Sequence, residues 1–311
     1  MKNKILVISA VFISGTGFAL LILQLLGFSP KDEVSDLQYL QYMNEHYKVF
    51  SPIVPENIEF CAENVPLELT DVRERLDREI LVNTYWHSNT FLLVKRANRW
   101  FPVIEPILEK NGIPQDFKYL ALIESGLTNA VSPSGATGYW QFLDKTGIQY
   151  GLEVNEEVDE RYDVIKATEA ACKYLNDAYK KFGSWPLVAA SYNMGMGGVE
   201  KQINRQNVNS YWDLLLNEET GRYVYRILAV KAIIQDPGNY GFHMRQQDLY
   251  EPYKTRSVTI NTGIESLAVW AQQQGTNYKS LKILNPWLRQ PSLLNKSGKQ
   301  YLILLPEKGN L

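Results

Sequence analysis

Hydrophobic positions along the chain follow three different rhythms. Behind Lys2 and Lys4, an uncharged and strongly apolar run extends from Ile5 to Pro30, through Ile5-Leu6-Val7-Ile8, Val11-Phe12-Ile13 and Phe18-Ala19-Leu20-Leu21-Ile22-Leu23. Between Thr70 and Gln235, apolar residues recur every three or four positions, the spacing of helices that bury one face. Thr70-Asp71 opens a helix with Val72, Leu76 and Ile80 in one stripe, and a second runs from about Thr90 to Lys110, ahead of Asn111-Gly112. Pro114 starts a short helix to Ser125, and the Ser-, Gly- and Pro-rich text from Gly126 to Gly138 predicts a loop, with another helix beginning near Trp140. The clearest pattern is Lys166 to Phe182, where Ala167, Ala170, Ala171, Tyr174 and Ala178 share a face and Gly183 ends the element. Further helices are predicted from Pro186 to about Met194 and from Glu219 to Gln235, the latter stopped by Asp236-Pro237-Gly238. From Arg256 the rhythm changes to alternation over Arg256 to Ile260, then two short helical stretches around Leu267 and Leu281, then a strand from Gln300 to Leu305. The chain therefore reads as mainly α: an all-helical domain followed by a small βααβ unit. The expected divisions are 1–30, an N-terminal signal or anchor; 31–84, a segment broken by Pro52, Pro55 and Pro66 that wraps over the helical domain and ends in a helix; 85–240, the helical domain; 241–254, a linker; and 255–307, the βααβ unit.

Composition narrows the function classes. A length of 311 residues suits two domains, and 45% hydrophobic with 21% charged residues excludes a disordered or collagenous chain. A formal charge of −2 argues against a nucleic-acid binder, which needs a basic surplus to neutralise phosphates. The apolar run is longer than a secretory signal needs, and no clean Ala-x-Ala cleavage site precedes Lys31, so a retained single-pass anchor is favoured over a cleaved signal. Either way the basic residues before the run keep the N-terminus cytoplasmic and the rest is exported, to the periplasmic side of the cell envelope. Cys61 and Cys172 would form one disulfide or stand as two free thiols. His46, His87 and His243 are scattered, no metal-ligand spacing is present, and no cofactor is expected. The aromatic count of 7 Trp, 19 Tyr and 11 Phe is high; most belong in a core, but Tyr and Trp also present a flat apolar face to sugars.

One acidic residue stands out. Phe117, Leu120, Ala121 and Glu124 occupy i, i+3, i+4 and i+7 of the short helix, so the carboxylate lies on the stripe that packs inward. It also lies in the last turn, where the helix dipole opposes a negative charge. Desolvation and the dipole both favour the protonated form, as a general acid requires. The loop beyond brings Ser125, Ser132, Ser134, Gly135, Gly138 and Gln141, small residues and hydrogen-bonding groups suited to a cleft. Gly195-Met196-Gly197-Gly198 is not a phosphate cradle, because it comes after a helix and lacks the subsequent Lys-Ser/Thr.

Taken together, four ordered segments resemble the lytic transglycosylases with a goose-lysozyme-like catalytic domain, in particular the membrane-bound lytic murein transglycosylase D family. They are Ile113-Pro114 through Ile123-Glu124-Ser125; Ser132-Pro133-Ser134-Gly135-Ala136-Thr137-Gly138-Tyr139-Trp140-Gln141-Phe142; Ser191-Tyr192-Asn193-Met194-Gly195; and Glu219-Thr220-Gly221-Arg222-Tyr223-Val224. Asp159-Glu160-Arg161-Tyr162-Asp163 also resembles a family stretch and is expected to form structural ion pairs. Departures are Tyr139 for Leu, Ser191 for Ala, and Leu127 where an aromatic is common; they bear on subsite shape more than on activity. The resemblance implies a lysozyme-like fold over about 85–235 and peptidoglycan glycan strands as substrate. Glu124 would protonate the glycosidic oxygen between N-acetylmuramic acid and N-acetylglucosamine, then act as base on the muramyl C6 hydroxyl as it closes a 1,6-anhydro ring. Gln141, Tyr192, Asn193 and Tyr223 would hold saccharide rings and N-acetyl groups, with Ser125 and Ser132 on lactyl or acetyl groups. Trp140, Tyr139, Tyr192 and Tyr223 would place part of the aromatic surplus beside the cleft. Glu219, in the fourth segment, is acidic too, with a structural role expected. The C-terminal unit is similar to a LysM domain, with Gly263-Ile264-Glu265-Ser266-Leu267 near the family's Gly-Asp-Ser-Leu turn and Leu284-Asn285-Pro286 near its Leu-Asn segment. A hydrolytic muramidase and a non-catalytic wall-binding scaffold remain the alternatives.

Overall fold

The computed structural model describes residues 35–46 and 49–307, so the apolar run before Pro30 and the anchor expected there lie outside the described residues. Among the described residues no helix is long and apolar enough to cross a membrane. Two units are present, divided between Phe50 and Ser51. The first contains α1 (Asp36–His46), an exposed helix in which Tyr42 stacks on His46 with ring centroids 4.1 Å apart. The chain from Ser51 onward belongs to the second.

That unit begins with a segment that does more than wrap. Val54, Phe60, Val65 and Leu67 are buried in the main core. A minimal hairpin pairs β1 (Glu59–Phe60) with β2 (Glu63–Asn64), and Cys61 and Ala62 turn the chain through the left-handed region at φ 55° and 63°. Asp116 fixes this turn by accepting from the Cys61 amide and from Lys231 Nζ, each at 2.7 Å. Cys61 and Cys172 are both free thiols.

Helix α2 (Thr70–Tyr85) buries Val72, Leu76 and Ile80, as its spacing predicts. Helix α3 (His87–Lys110) starts one turn earlier than expected and continues through Pro102 and Pro106. Each proline costs a helix interior about 3 kcal/mol. Burying Leu93, Phe101, Ile104 and Leu108 returns roughly 1.5–3 kcal/mol apiece, enough to hold the element together. Helix α4 (Phe117–Ser125) ends on Gly126 at φ 60°, whose N–H caps the Leu122 carbonyl. The helix expected near Trp140 is absent there: Thr137 to Phe142 is turn and isolated bridge, and α5 (Asp144–Gln149) begins only beyond Leu143. Periodicity failed because the buried Tyr139, Trp140 and Phe142 pack from a tight turn.

Helix α6 (Val164–Phe182) is capped by the Asp163 carboxylate at its start and by Gly183 at φ 63° at its end. Helices α7 (Trp185–Met194) and α8 (Met196–Gln206) are separated by Gly195 alone, so the glycine run opens a helix that the spacing does not announce. Helix α9 (Glu218–Gln235) is buried along most of its length between α2, α4 and α7, and forms the axis of the domain.

The C-terminal part has the expected order: β3 (Thr255–Ile260), α10 (Leu267–Gln273), α11 (Tyr278–Leu284) and β4 (Tyr301–Pro306). The strands pair antiparallel, from Thr255↔Pro306 to Ile260↔Tyr301. Its own core gathers Leu267, Leu281, Trp287, Leu288, Ile303 and Leu305, and includes Val158 and Tyr162 from the helical part. Backbone bonds reinforce that contact: the Asp159 amide donates to the Trp287 carbonyl at 2.9 Å and the Arg289 amide to the Glu157 carbonyl at 2.8 Å. The chain leading into β3 is fastened too, with Asn98 and Arg99 donating to the carbonyls of Tyr250 and Glu251.

Candidate active site

Glu124 closes α4, and its side chain opens into a cavity of about 270 Å³. The short helix is apolar around Phe117, Leu120, Ala121 and Leu122, all buried, while Ile123, Glu124 and Ser125 of its last turn are half-buried. Tyr223 stands opposite on α9, fully buried, and its hydroxyl donates to Glu124 Oε1. Burial pushes the Glu124 pKa above its ordinary 4.5, and the negative Glu219 adds to the rise. The Tyr223 hydrogen bond and the Arg226 guanidinium oppose it without reversing it. Tyr223 is itself held well above its usual range by burial and by the Glu124 charge, so its hydroxyl stays a donor at all physiological pH.

Around Glu124 the cavity is lined by Ser132, Ser134, Gln141, Tyr192, Asn193 and Glu219, among others. Four of the six expected binding residues, Ser132, Gln141, Tyr192 and Asn193, therefore meet there. Gln141 sits at φ 50°, and its Nε2 donates to the carbonyls of Ala130 and Gly138 at 3.0 and 2.8 Å. Ser132 Oγ accepts from the Ala136 amide at 3.0 Å and bonds Ser134 Oγ. Tyr192 donates to the Trp140 carbonyl at 2.8 Å, presenting its ring rather than its hydroxyl. Asn193 joins the α7 end to α9, accepting from Thr220 Oγ1 at 2.6 Å and donating to Glu219 Oε1 at 2.9 Å.

The other two expected contacts differ. Ser125 is not in the lining: its hydroxyl donates to the Tyr139 carbonyl at 2.8 Å and to Ala121 at 3.2 Å, tying the loop to α4. Tyr223 touches Glu124 rather than the open cavity. Trp140 and Tyr139 likewise turn inward; Trp140 is fully buried and donates through Nε1 to Thr168 at 2.8 Å. Ser191 is buried as well, donating to the Val188 carbonyl, so this departure and Tyr139 affect packing rather than the cavity wall.

The loop owes its shape to one buried arginine. Arg161 pairs with Asp159 at 2.6 Å and with Asp144, and donates to the carbonyls of Gly135 and Phe142. Gly138, at φ 81°, passes so close that a Cβ there would lie 1.9 Å from the Arg161 carbonyl oxygen, which only glycine permits. Sequence reasoning assigned Arg161 to ion pairing but missed Arg226, whose Nη2 donates to the Ile123 carbonyl at 3.0 Å. A cation two turns along α9 from Glu219 is ordinary in a sequence; only folding brings it beside Glu124. Two shallower depressions elsewhere contain Asp177 and Glu105, whose carboxylates are 52% and 39% exposed and so lack the apolar enclosure that surrounds Glu124.

A profile of the transglycosylase SLT domain matches residues 102–215, a span that includes Glu124 and the cavity residues up to Asn193. A second, for the C-terminal LysM-like domain of soluble lytic transglycosylases, matches residues 256–309. The chain thus carries a transglycosylase SLT domain followed by a C-terminal LysM-like domain. It is 31% identical over 243 residues to membrane-bound lytic murein transglycosylase D of Escherichia coli strain K12, and equally to that of E. coli O6:H1. The match takes in 76% of this chain and 52% of each relative, so the chain spans about half their length.

Proposed function

We propose that the protein is a lytic transglycosylase that cuts the β-1,4 bond between N-acetylmuramic acid and N-acetylglucosamine in peptidoglycan, leaving 1,6-anhydro-muramyl ends. The observation that carries this reading is Glu124: a half-buried carboxylate, raised in pKa by desolvation and held by Tyr223, at the wall of a polar cavity within the SLT match. Protonated Glu124 gives its proton to the glycosidic oxygen as the bond to the muramyl C1 breaks. The resulting carboxylate then takes the proton of the muramyl C6 hydroxyl while that oxygen bonds to C1. The attacking group belongs to the substrate, so orientation replaces the second carboxylate that a hydrolase needs. Ser132, Gln141, Tyr192 and Asn193 supply the wall that orients the sugar. The export route and membrane anchor inferred from the N-terminal run, with the periplasmic face as the place of work, belong to the same proposal.

Glu219 favours a second reading. It lines the same cavity, and a carboxylate there would activate water in a hydrolytic muramidase. Digestion of purified sacculi with mass analysis of the fragments decides. Anhydro products, lighter by one water and lost in Glu124→Gln, support transglycosylation. Hydrated products that disappear in Glu219→Gln indicate a muramidase, and intact sacculi indicate a wall-binding scaffold.

A further inference from the structure

Beside the α4 end lies a second cavity, of about 370 Å³, bounded by Ile123 and Gly126, which flank Glu124 and Ser125 in the chain. Glu219 lines this cavity and the first, so the two share a wall next to the reacting carboxylate. Most of the second cavity is built by residues outside the 102–215 span: the end of α2 and the start of α3 on one side, and α9 on the other. Its chemistry also differs. Trp86, at the α2–α3 junction, is 59% exposed. The Asn89 side chain makes no hydrogen bond among the described residues, and Asn83 spends only its Nδ2, on the Glu79 carbonyl at 2.8 Å. Arg222 is neutralised by buried Glu79 at 2.7 Å, whereas Arg226 makes no ion pair among the described residues. Glu219 on the shared wall accepts from Asn193, so an indole face, open amides and the Arg226 guanidinium together suit an amide-rich ligand with aliphatic side chains and a carboxylate at one end. A bare glycan strand carries no such charge. The peptide attached to the muramyl lactyl group of peptidoglycan does.

We propose that this second cavity binds the acidic peptide carried by the muramyl residue at the cut, with a peptide carboxylate on Arg226 and the peptide chain against Trp86 and Asn89. The inference rests on the transglycosylase reading for its substrate, and its test separates the two. Asn89 lies in the first turn of α3, where an aspartate is favoured by the helix dipole, so Asn89→Asp introduces a repelling charge without unfolding the helix. Calorimetric binding of N-acetylmuramyl tripeptide to the full Glu124→Gln chain should weaken about tenfold when Asn89→Asp or Trp86→Ala is added, through charge repulsion in the first and loss of the indole contact in the second. Binding of peptide-free N-acetylmuramic acid should change far less. With Glu124 intact, kcat/KM on peptide-bearing strands should fall about tenfold more than on strands stripped by an amidase, and Arg226→Lys should preserve that preference better than Arg226→Gln. Equal losses on both substrates would make the cavity a saccharide site and overturn the proposal, as would tripeptide binding indifferent to both variants. A chain that binds the tripeptide through these residues yet leaves sacculi uncut would keep this assignment and refute the catalytic one.

Discussion

Glu124 is held between two helices on one side and a loop on the other, and the two do different work. Helices α4 and α9 surround the carboxylate with apolar side chains and one buried phenol, so they govern its proton. The loop from Leu127 to Phe142 governs shape. Its backbone is locked by Arg161 and by left-handed residues at Leu127, Gly135, Gly138 and Gln141, and it offers amide and hydroxyl groups to the cavity. Burial is supplied by elements that repeat every few residues, whereas hydrogen-bond geometry is supplied by single residues in unusual conformations. Damage to the first should therefore alter pH behaviour, and damage to the second should alter fit and stability.

The largest effect is expected from Glu124→Gln, which should lower sacculus cleavage by roughly 10²–10⁴-fold, the usual contribution of a general acid. The same change should raise stability at neutral pH. Above 4.5 an unfolded glutamate is charged, while the buried site resists losing its proton, so the wild type loses stability as pH rises from 4.5 through the raised value of Glu124. A higher melting temperature for Glu124→Gln at pH 7, with the gap closing below 4.5, would confirm that desolvation dominates; equal melting at pH 7 would place the carboxylate in a solvated setting.

On the loop side, Gly138→Ala meets the Arg161 carbonyl and should cost about 2–4 kcal/mol in denaturant unfolding, with cleavage lost alongside. A loss below about 1 kcal/mol would mean that the loop yields easily. Tyr223→Phe is expected to cut turnover about tenfold by removing a hydrogen bond to a charged group. It also removes a contact that lowers the Glu124 pKa, so the limb of the pH–rate profile set by Glu124 should move upward. A profile that keeps its position while turnover falls would assign Tyr223 to packing instead. The smallest effect belongs to Ser125→Ala, which should cost about 1 kcal/mol of stability by freeing the loop from α4, with KM within about twofold of the wild type. A large rise in KM would return Ser125 to the substrate.

Legibility divides along the same line. Glu124, the stripes of α2, α6 and α9, and the βααβ order were readable because each arises from a repeat or from a charge that breaks one. Ser125, Tyr139 and Trp140 misled because residue type does not say which way a loop side chain turns. Trp140 looks like a sugar platform in sequence, yet its indole N–H is spent on Thr168 in the core. Gln141 reached the cavity through a positive φ that no spacing reports, and Arg226 through the packing of α9 against α4. Helix α8 escaped because its first turn is written in glycines.

The bridge between Val158 and Leu288, with the Glu157 and Asp159 backbone bonds beside it, makes the C-terminal domain a welded bracket rather than a float on a tether. Lengthening the chain between Gly241 and Lys254 would change its path and leave the bracket where it is. The address of that domain is written in the segment that also supplies Arg161 to the loop, so the mount of one part and the mould of the other are cut from the same short piece of chain.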